Sequence, residues 1–178
     1  MTVSIRPLTA ADVHQYKRVR DEALRCAPEA FTSDYASSVA RPASAYAARF
    51  APPASGHFFL GAFDAAGQLL GCLGCERELL AQQRHSARLV SMMVAPAAQR
   101  CGIGQRLLDA CIQQAAQVPG LEQLVLTVTA SNRHVVRLYE RAGFRAWGVL
   151  PRAIVVQGVG YDKLHMVRLL PLSPLISP

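Results

Sequence analysis

No stretch of the 178-residue sequence holds the roughly 18 consecutive apolar residues that a membrane-spanning helix needs. The opening residues, Met1-Thr-Val-Ser-Ile-Arg-Pro7, lack the apolar centre of a secretion signal. Cysteine is sparse and odd in number, with five at positions 26, 72, 75, 101 and 111, and the spacing is not that of a disulfide framework. These absences lead to the expectation of a reduced, cytoplasmic protein without membrane attachment. Internal repeats and low-complexity linkers are absent as well. With 51% hydrophobic and 17% charged residues the chain has globular composition, which excludes a disordered one. Its length suits one domain, expected over residues 1–170, followed by a proline-rich tail, 171–178. A domain of this size buries roughly 70% of its unfolded surface and needs no disulfide or metal staple.

Lysine is scarce too, so the net charge of +7 comes almost wholly from arginine scattered along the chain. A basic surface favours anionic partners. Without a long Lys/Arg run, however, a dedicated nucleic-acid-binding protein is only a minor alternative. Cys72-Leu-Gly-Cys75 has the spacing of half a zinc site, but no second pair completes it and the five histidines are dispersed, so no metal is expected.

The patterning predicts a mixed α/β chain. Residues 3–8 alternate as a strand, and Thr9-Ala-Ala-Asp12 reads as a capping box with Asp in place of Glu. Val13, Tyr16, Val19 and Ala23 then recur at helical spacing up to about Cys26. Ser44 is placed to cap a short helix ending near Phe50. Strands are predicted over 58–63 and 68–78 around the turn Asp64-Ala-Ala-Gly67, then over 89–94, with the polar stretch 82–86 as a turn. A helix over 102–117, a strand over 124–129, a helix from Ser131 or Asn132 to Gly143, and strands over 144–150 and 161–169 follow. The strand–helix–strand order over 89–150 implies parallel pairing there, and the flanking hairpins imply antiparallel edges. The fold class is α+β, a single domain with a mixed central sheet flanked by helices.

The segment most informative about chemistry is Val94-Ala-Pro-Ala-Ala-Gln99-Arg100-Cys101-Gly102-Ile103-Gly104-Gln105, where a strand ends, a short loop follows and a helix begins. Glycine allows close backbone approach, and the free N–H groups and dipole of the first helical turn favour an anion, with Arg100 adding a formal charge. Neither a dinucleotide fingerprint nor a Walker loop fits. Position 107 is Leu where the first needs Gly, and Gly104 is followed by Gln-Arg where the second needs Lys-Ser/Thr.

Gln99-Arg-Cys-Gly-Ile-Gly104, followed by Asn132, Tyr139 and Gly143-Phe144 at their spacing, resembles the GCN5-related N-acetyltransferase family. The resemblance covers most of the domain and implies a GNAT-like fold in which two parallel strands splay to admit acetyl-coenzyme A, with no metal. It further implies that the backbone of Met92, Met93 and Val94 bonds the pantetheine arm, with the N–H of Met93 or Val94 polarising the thioester carbonyl. The pyrophosphate would rest on the loop and first turn, Gln99, Arg100, Cys101, Gly102, Ile103, Gly104 and Gln105. The Asn132 side chain would reach the pantetheine, and Tyr139 would act as general acid toward the departing thiolate. The acceptor would be a primary amine, its side of the cleft lined by residues 26–56 and 78–87. A homodimer is compatible with the resemblance.

The chemistry asks for such parts. Acyl transfer to an amine passes through an oxyanion that a preorganised N–H stabilises, and expels a thiolate that an acid can protonate. A lysine-like amine is overwhelmingly protonated at pH 7, a handicap of roughly 4–5 kcal/mol that a base must offset. Where several relatives have a Glu base, this chain has Arg88 and Thr127, leaving Glu76, Glu78 and His85 to act through water. That departure keeps a second class in view, a catalytically silent acyl-coenzyme A sensor.

Overall fold

Thr9 and Asp12 lock the first turn of the chain onto the first strand. The backbone N–H and hydroxyl of Thr9 donate to Asp12 Oδ2 at 2.8 and 3.0 Å, and Arg6 donates to both carboxylate oxygens at 2.8 and 2.7 Å. The expected capping box is therefore formed. It launches α1, Val13–Cys26, whose buried positions Val13, Tyr16, Val19 and Ala23 are those predicted from the spacing. The computed structural model describes residues 2–50 and 52–171. The predicted tail thus lies outside the described residues from position 172 on.

The strands are β1 (Ser4–Pro7), β2 (His57–Phe63), β3 (Leu69–Arg77), β4 (Ser86–Val94), β5 (Gln123–Thr129), β6 (Arg145–Val156) and β7 (Val159–Leu169). They form one seven-stranded sheet in the order β1-β2-β3-β4-β5-β7-β6. Every neighbouring pair is antiparallel except β4 and β5, which are parallel. The remaining helices are α2 (Tyr35–Ala40), α3 (Ile103–Ala115) and α4 (Arg133–Arg141).

Two apolar clusters cover the two faces of the sheet. One joins Phe58, Leu60, Leu73, Leu89, Leu124 and Leu126 to α3 and α4 through Leu107, Leu108, Cys111, Val136 and Tyr139. The other joins Phe59, Phe63, Cys72 and Met93 to α1 and the turn 43–49 through Tyr16, Val19 and Tyr46. Alternating strand residues feed opposite clusters, as the pleat requires. Among the described residues no helix is long and apolar enough to cross a membrane.

Several expectations need correction. β4 begins at Ser86, three residues before the predicted start, because Glu78 N–H reaches back to the Ser86 carbonyl and closes a tighter β3–β4 connection. The turn 43–49 is 3-10 helix with Pro42 at its start, and Ser44 caps nothing. Helix α2 was not predicted; its signal is Asp34, whose carboxylate accepts from the Ser37 N–H at 2.8 Å. The last hairpin is longer than predicted. The strand predicted over 144–150 runs on through Pro151 to Val156, because β6 is the sheet edge and tolerates Pro within an irregularity between Leu150 and Ile154. Gln157 and Gly158, at φ 48° and 82°, close it in a tight turn. Parallel pairing is confined to β4–β5, since β7 inserts between β5 and β6.

The Asp12 carboxyl is held down at about 2, first by the hydrogen bond from Arg6. Its contribution is complete above the unfolded value near 4 and is lost as pH falls through about 2. Asp12→Ala should therefore lower stability at pH 7 by about 1–2 kcal/mol, the ion-pair part discounted because Arg6 is half-exposed. In denaturant titrations from pH 7 to 2 the gap to the parent should close at the acid end.

Candidate active site at the parted strands

The parallel pair is short. Ser86, Ala87 and Arg88 pair with Gln123, Leu124 and Val125, and there the ladder ends although both strands run on. A bulge accounts for the divergence. Between Gly74↔Val90 and Cys72↔Met93, β4 carries one residue more than β3, and Ser91 sits there at φ 54°. A bulge bends its strand and increases local twist. It also shifts the alternation. Before it, Ala87 and Leu89 face α3; after it, Met92 and Val94 pack on that side and Met93 turns to the α1 side. A Cβ on Gly71 would lie 2.6 Å from the Met93 carbonyl oxygen, so the Met93 backbone faces β3. By strand alternation the backbone groups of Met92 and Val94 face the gap.

The gap opens toward the carboxyl ends of β4 and β5, where α3 and α4 begin. The loop from β4 to α3 turns through two left-handed residues, Arg100 at φ 61° and Gly102 at φ 75°. Gln99 Nε2 donates to the Val94 carbonyl at 3.2 Å and closes the loop onto the strand. No side chain caps α3, whose first helical bond runs from Arg106 N–H to the Gly102 carbonyl. The N–H groups of Ile103, Gly104 and Gln105 therefore have no partner within the helix. Arg100 and Cys101 are exposed beside them. A Cβ on Gly104 would lie 3.4 Å from Met92 Cε and 3.6 Å from Leu138 Cδ2, so β4, α3 and α4 meet at this corner.

Asn132 caps α4, its Oδ1 accepting from the Val135 N–H at 3.4 Å. That leaves its amide NH2 for another acceptor. Tyr139 is buried in the α3/α4 cluster, edge-on to Phe144 with ring centroids 5.7 Å apart. Burial pushes its phenol pKa up, and neighbouring Cys111 raises it further. The proton is thus firmly held at neutral pH.

The α1 side of the gap carries a polar network that sequence reasoning missed. Arg49 donates to Glu76 Oε1 at 2.7 Å and to the Tyr16 hydroxyl at 3.2 Å, and lies over the Phe59 ring at 4.7 Å. Burial pushes the Tyr16 phenol up, while Arg49 and a bond to Ser91 pull it down. Nothing in the sequence signals a link between positions 16, 49 and 76, which only sheet packing makes neighbours. On the far side the α1–α2 connection is pinned to the sheet. Thr129 Oγ1 donates to the Glu29 carbonyl at 2.6 Å, and Lys163 Nζ donates to the Ala30 carbonyl and Thr129 Oγ1 at 3.0 and 2.9 Å. Burial lowers the Lys163 pKa, partly offset by Glu29.

Neither position expected to hold a base is acidic. Arg88 pairs with Glu78 at 2.9 Å, and Thr127 is exposed on β5. Glu76 is held by Arg49, which leaves it ill-suited to collect a proton. His85 is exposed just before β4, where its carbonyl accepts from the N–H groups of Glu122 and Gln123.

The acetyltransferase (GNAT) family model matches residues 16–144, which contain both parted strands and both helix starts. The chain belongs to this family. A mycothiol acetyltransferase from Salinispora tropica is 37% identical over 92 residues, 50% of this chain; the match spans only 29% of that relative's own length. A GCN5-related N-acetyltransferase from Kribbella flavida superposes with TM-score 0.79 at 27% identity, covering 94% of this chain and 98% of the other. A phosphinothricin acetyltransferase from Sinorhizobium meliloti, solved in complex with acetyl-coenzyme A, superposes with TM-score 0.84 at 19% identity. It covers 100% of this chain and 94% of its own, and at that identity the likeness is one of fold.

In this GNAT chain Met92 of β4, Gly104 of α3 and Leu138 of α4 meet at one corner, and Tyr139 follows Leu138 in sequence. Arg49→Met should destabilise the fold by about 2 kcal/mol, because it strands the half-buried Glu76 carboxylate. The double variant Arg49→Met/Glu76→Gln should cost clearly less than the two single losses together. A denaturation double-mutant cycle measures the coupling, and strict additivity would show the pair to be energetically idle.

Proposed function

We propose that this chain is an acetyl-coenzyme A-dependent N-acetyltransferase that moves the acetyl group from the thioester directly to a primary amine. The observation that carries the reading is the parting of β4 from β5 beside an uncapped, glycine-turned helix start. That geometry offers a slot for an extended thioester arm and a socket for its phosphates. The first-turn N–H groups and the dipole of α3, with Arg100, would hold the pyrophosphate. The family membership and the acetyl-coenzyme A held by the Sinorhizobium meliloti neighbour support the same cosubstrate.

Within this reading the N–H groups of Met92 and Val94, rather than Met93, meet the thioester carbonyl and the pantetheine amides. A fixed N–H aimed at the carbonyl oxygen is worth most where charge develops in the tetrahedral intermediate. The free amide NH2 of Asn132 would donate to the arm from the β5 side. Tyr139 keeps its proton through burial and donates it as the C–S bond breaks. The neutral amine attacks the carbonyl carbon, the thiolate leaves, and coenzyme A departs as the thiol.

Calorimetric titration with acetyl-coenzyme A should give near one-to-one binding in the micromolar range; its absence at millimolar ligand, with the protein folded, would end the reading. Gly102→Val should weaken binding about tenfold or more. It should also cost about 1–2 kcal/mol of stability, because a β-branched residue is forced to φ 75° where no neighbour crowds it. Tyr139→Phe should lower kcat about 100-fold while acetyl-coenzyme A affinity stays within threefold. Unchanged kcat would remove the acid role and leave Tyr139 a core residue.

A further inference from the structure

The amine still needs a base, and on the α1 face of the sheet His165 of β7 stands beside the parted strand β5. Thr127 on β5 is directly paired with His165 on β7, so the two side chains stand on the same face about 5 Å apart at Cβ. That face is the acceptor side, since Leu124, Leu126 and Val128 point the other way into the α3/α4 cluster. His165 is half-buried, and Trp147 of the edge strand β6 tilts against its ring with centroids 5.2 Å apart. Among the described residues no hydrogen bond or ion pair occupies either ring nitrogen, in contrast to Glu76 and Glu78, which are both paired to arginine.

Building on the transferase reading, we propose that His165 is the general base for the acceptor amine, acting directly or through one water. Trp147 is a positioning residue that fixes its ring. An ammonium entering over Thr127 gives one proton to the imidazole. Its nitrogen then bonds to the acetyl carbon and the C–S bond breaks. Tyr139 protonates the departing thiolate, the proton shed by the new amide nitrogen restores the Tyr139 phenol, and the imidazolium returns its own to water. The base thus sits one strand away from where relatives carry it, on β7, which flanks β5 on the side away from the gap and presents His165 beside Thr127 on the acceptor face. The charged groups around His165 are Lys163 two residues along β7, Glu29 of the connection over it, Arg145 on β6 opposite Val167, and the Arg88–Glu78 pair across the gap. On β5, Thr127 and Thr129 add no titrating group.

The test uses the full chain, acetyl-coenzyme A, and a panel of butylamine, spermidine, alanine amide and hydroxylamine, with coenzyme A release and acetylated product both measured. Hydroxylamine is already neutral at pH 7 and needs no base. His165→Gln should cut kcat/KM for the alkylamines about 100-fold at pH 7, and the loss should shrink roughly tenfold per pH unit as the amine deprotonates by itself. The alkylamine-to-hydroxylamine ratio should fall by about the same factor, with acetyl-coenzyme A affinity unchanged. His165→Gly should recover part of the lost rate when free imidazole is added. A loss equal for all acceptors and flat with pH, or no loss, would overturn the base assignment while leaving the transferase standing. Binding of acetyl-coenzyme A without acetylation of any amine by the parent protein would overturn both.

Discussion

Three residues of parallel pairing between β4 and β5, and then none, set the terms for everything around them. A parallel pair that stayed zipped would leave no slot. One that never formed would leave the two halves of the sheet unconnected, since β4 and β5 are the junction between the antiparallel strands on either side. The single extra residue at Ser91 resolves the conflict. It bends β4 away after the pairing has joined the halves, and it flips the strand's alternation so that Met92 lies toward Gly104 while Met93 packs into the α1 cluster. Backbone N–H and C=O groups freed in this way carry a cost unless they are satisfied. A ligand with amides of its own is a natural partner for them.

Two of the four described non-glycine residues with left-handed backbone shape the slot, while Arg152 and Gln157 serve the β6–β7 hairpin. Ser91 and Arg100 adopt left-handed backbone without being glycine, one at the bulge and one in the loop before α3. Such conformations cost on the order of 1–3 kcal/mol each and persist only when surrounding packing over-determines them. Here the packing is firm on both sides. Leu107, Leu108 and Cys111 anchor α3 under the loop, and Cys72 lies under the bulge with its thiol donating to the Ser91 carbonyl. The slot is therefore built from rigid elements, and little ordering remains to be done when a ligand arrives.

The two faces of the gap differ in chemistry. Toward α3 and α4 it is apolar, with Tyr139 buried behind it in the cluster of those helices. Toward α1 it is bounded by paired charges, Arg49 with Glu76 and Arg88 with Glu78, and by the Thr129–Lys163 clasp that pins the α1–α2 connection. Charges committed to one another hold walls in place but make poor proton acceptors. That is why the unpaired imidazole of His165 stands out on this face.

Much of the fold was legible in the sequence because it is written in local terms. The Thr9–Asp12 box, the stripe of α1, the Asp64–Gly67 turn and the glycine-rich loop each depend on neighbours a few residues apart, and all four stand where the pattern put them. The loop and the Asn132–Tyr139 block also carried the resemblance to the family, and the left-handed backbone at Gly102 and the helix cap at Asn132 are local demands that restrict which residue types can serve. What the sequence could not yield is whatever depends on strand register. The bulge at Ser91 leaves no signature among Val-Ser-Met-Met, the insertion of β7 beside β5 follows from sheet order, and the meeting of Tyr16, Arg49 and Glu76 joins distant segments. A one-residue shift of register would turn every side chain of a strand to the opposite face. The tertiary structure alone therefore decided that Thr127 looks across at His165, and that Arg88 answers Glu78.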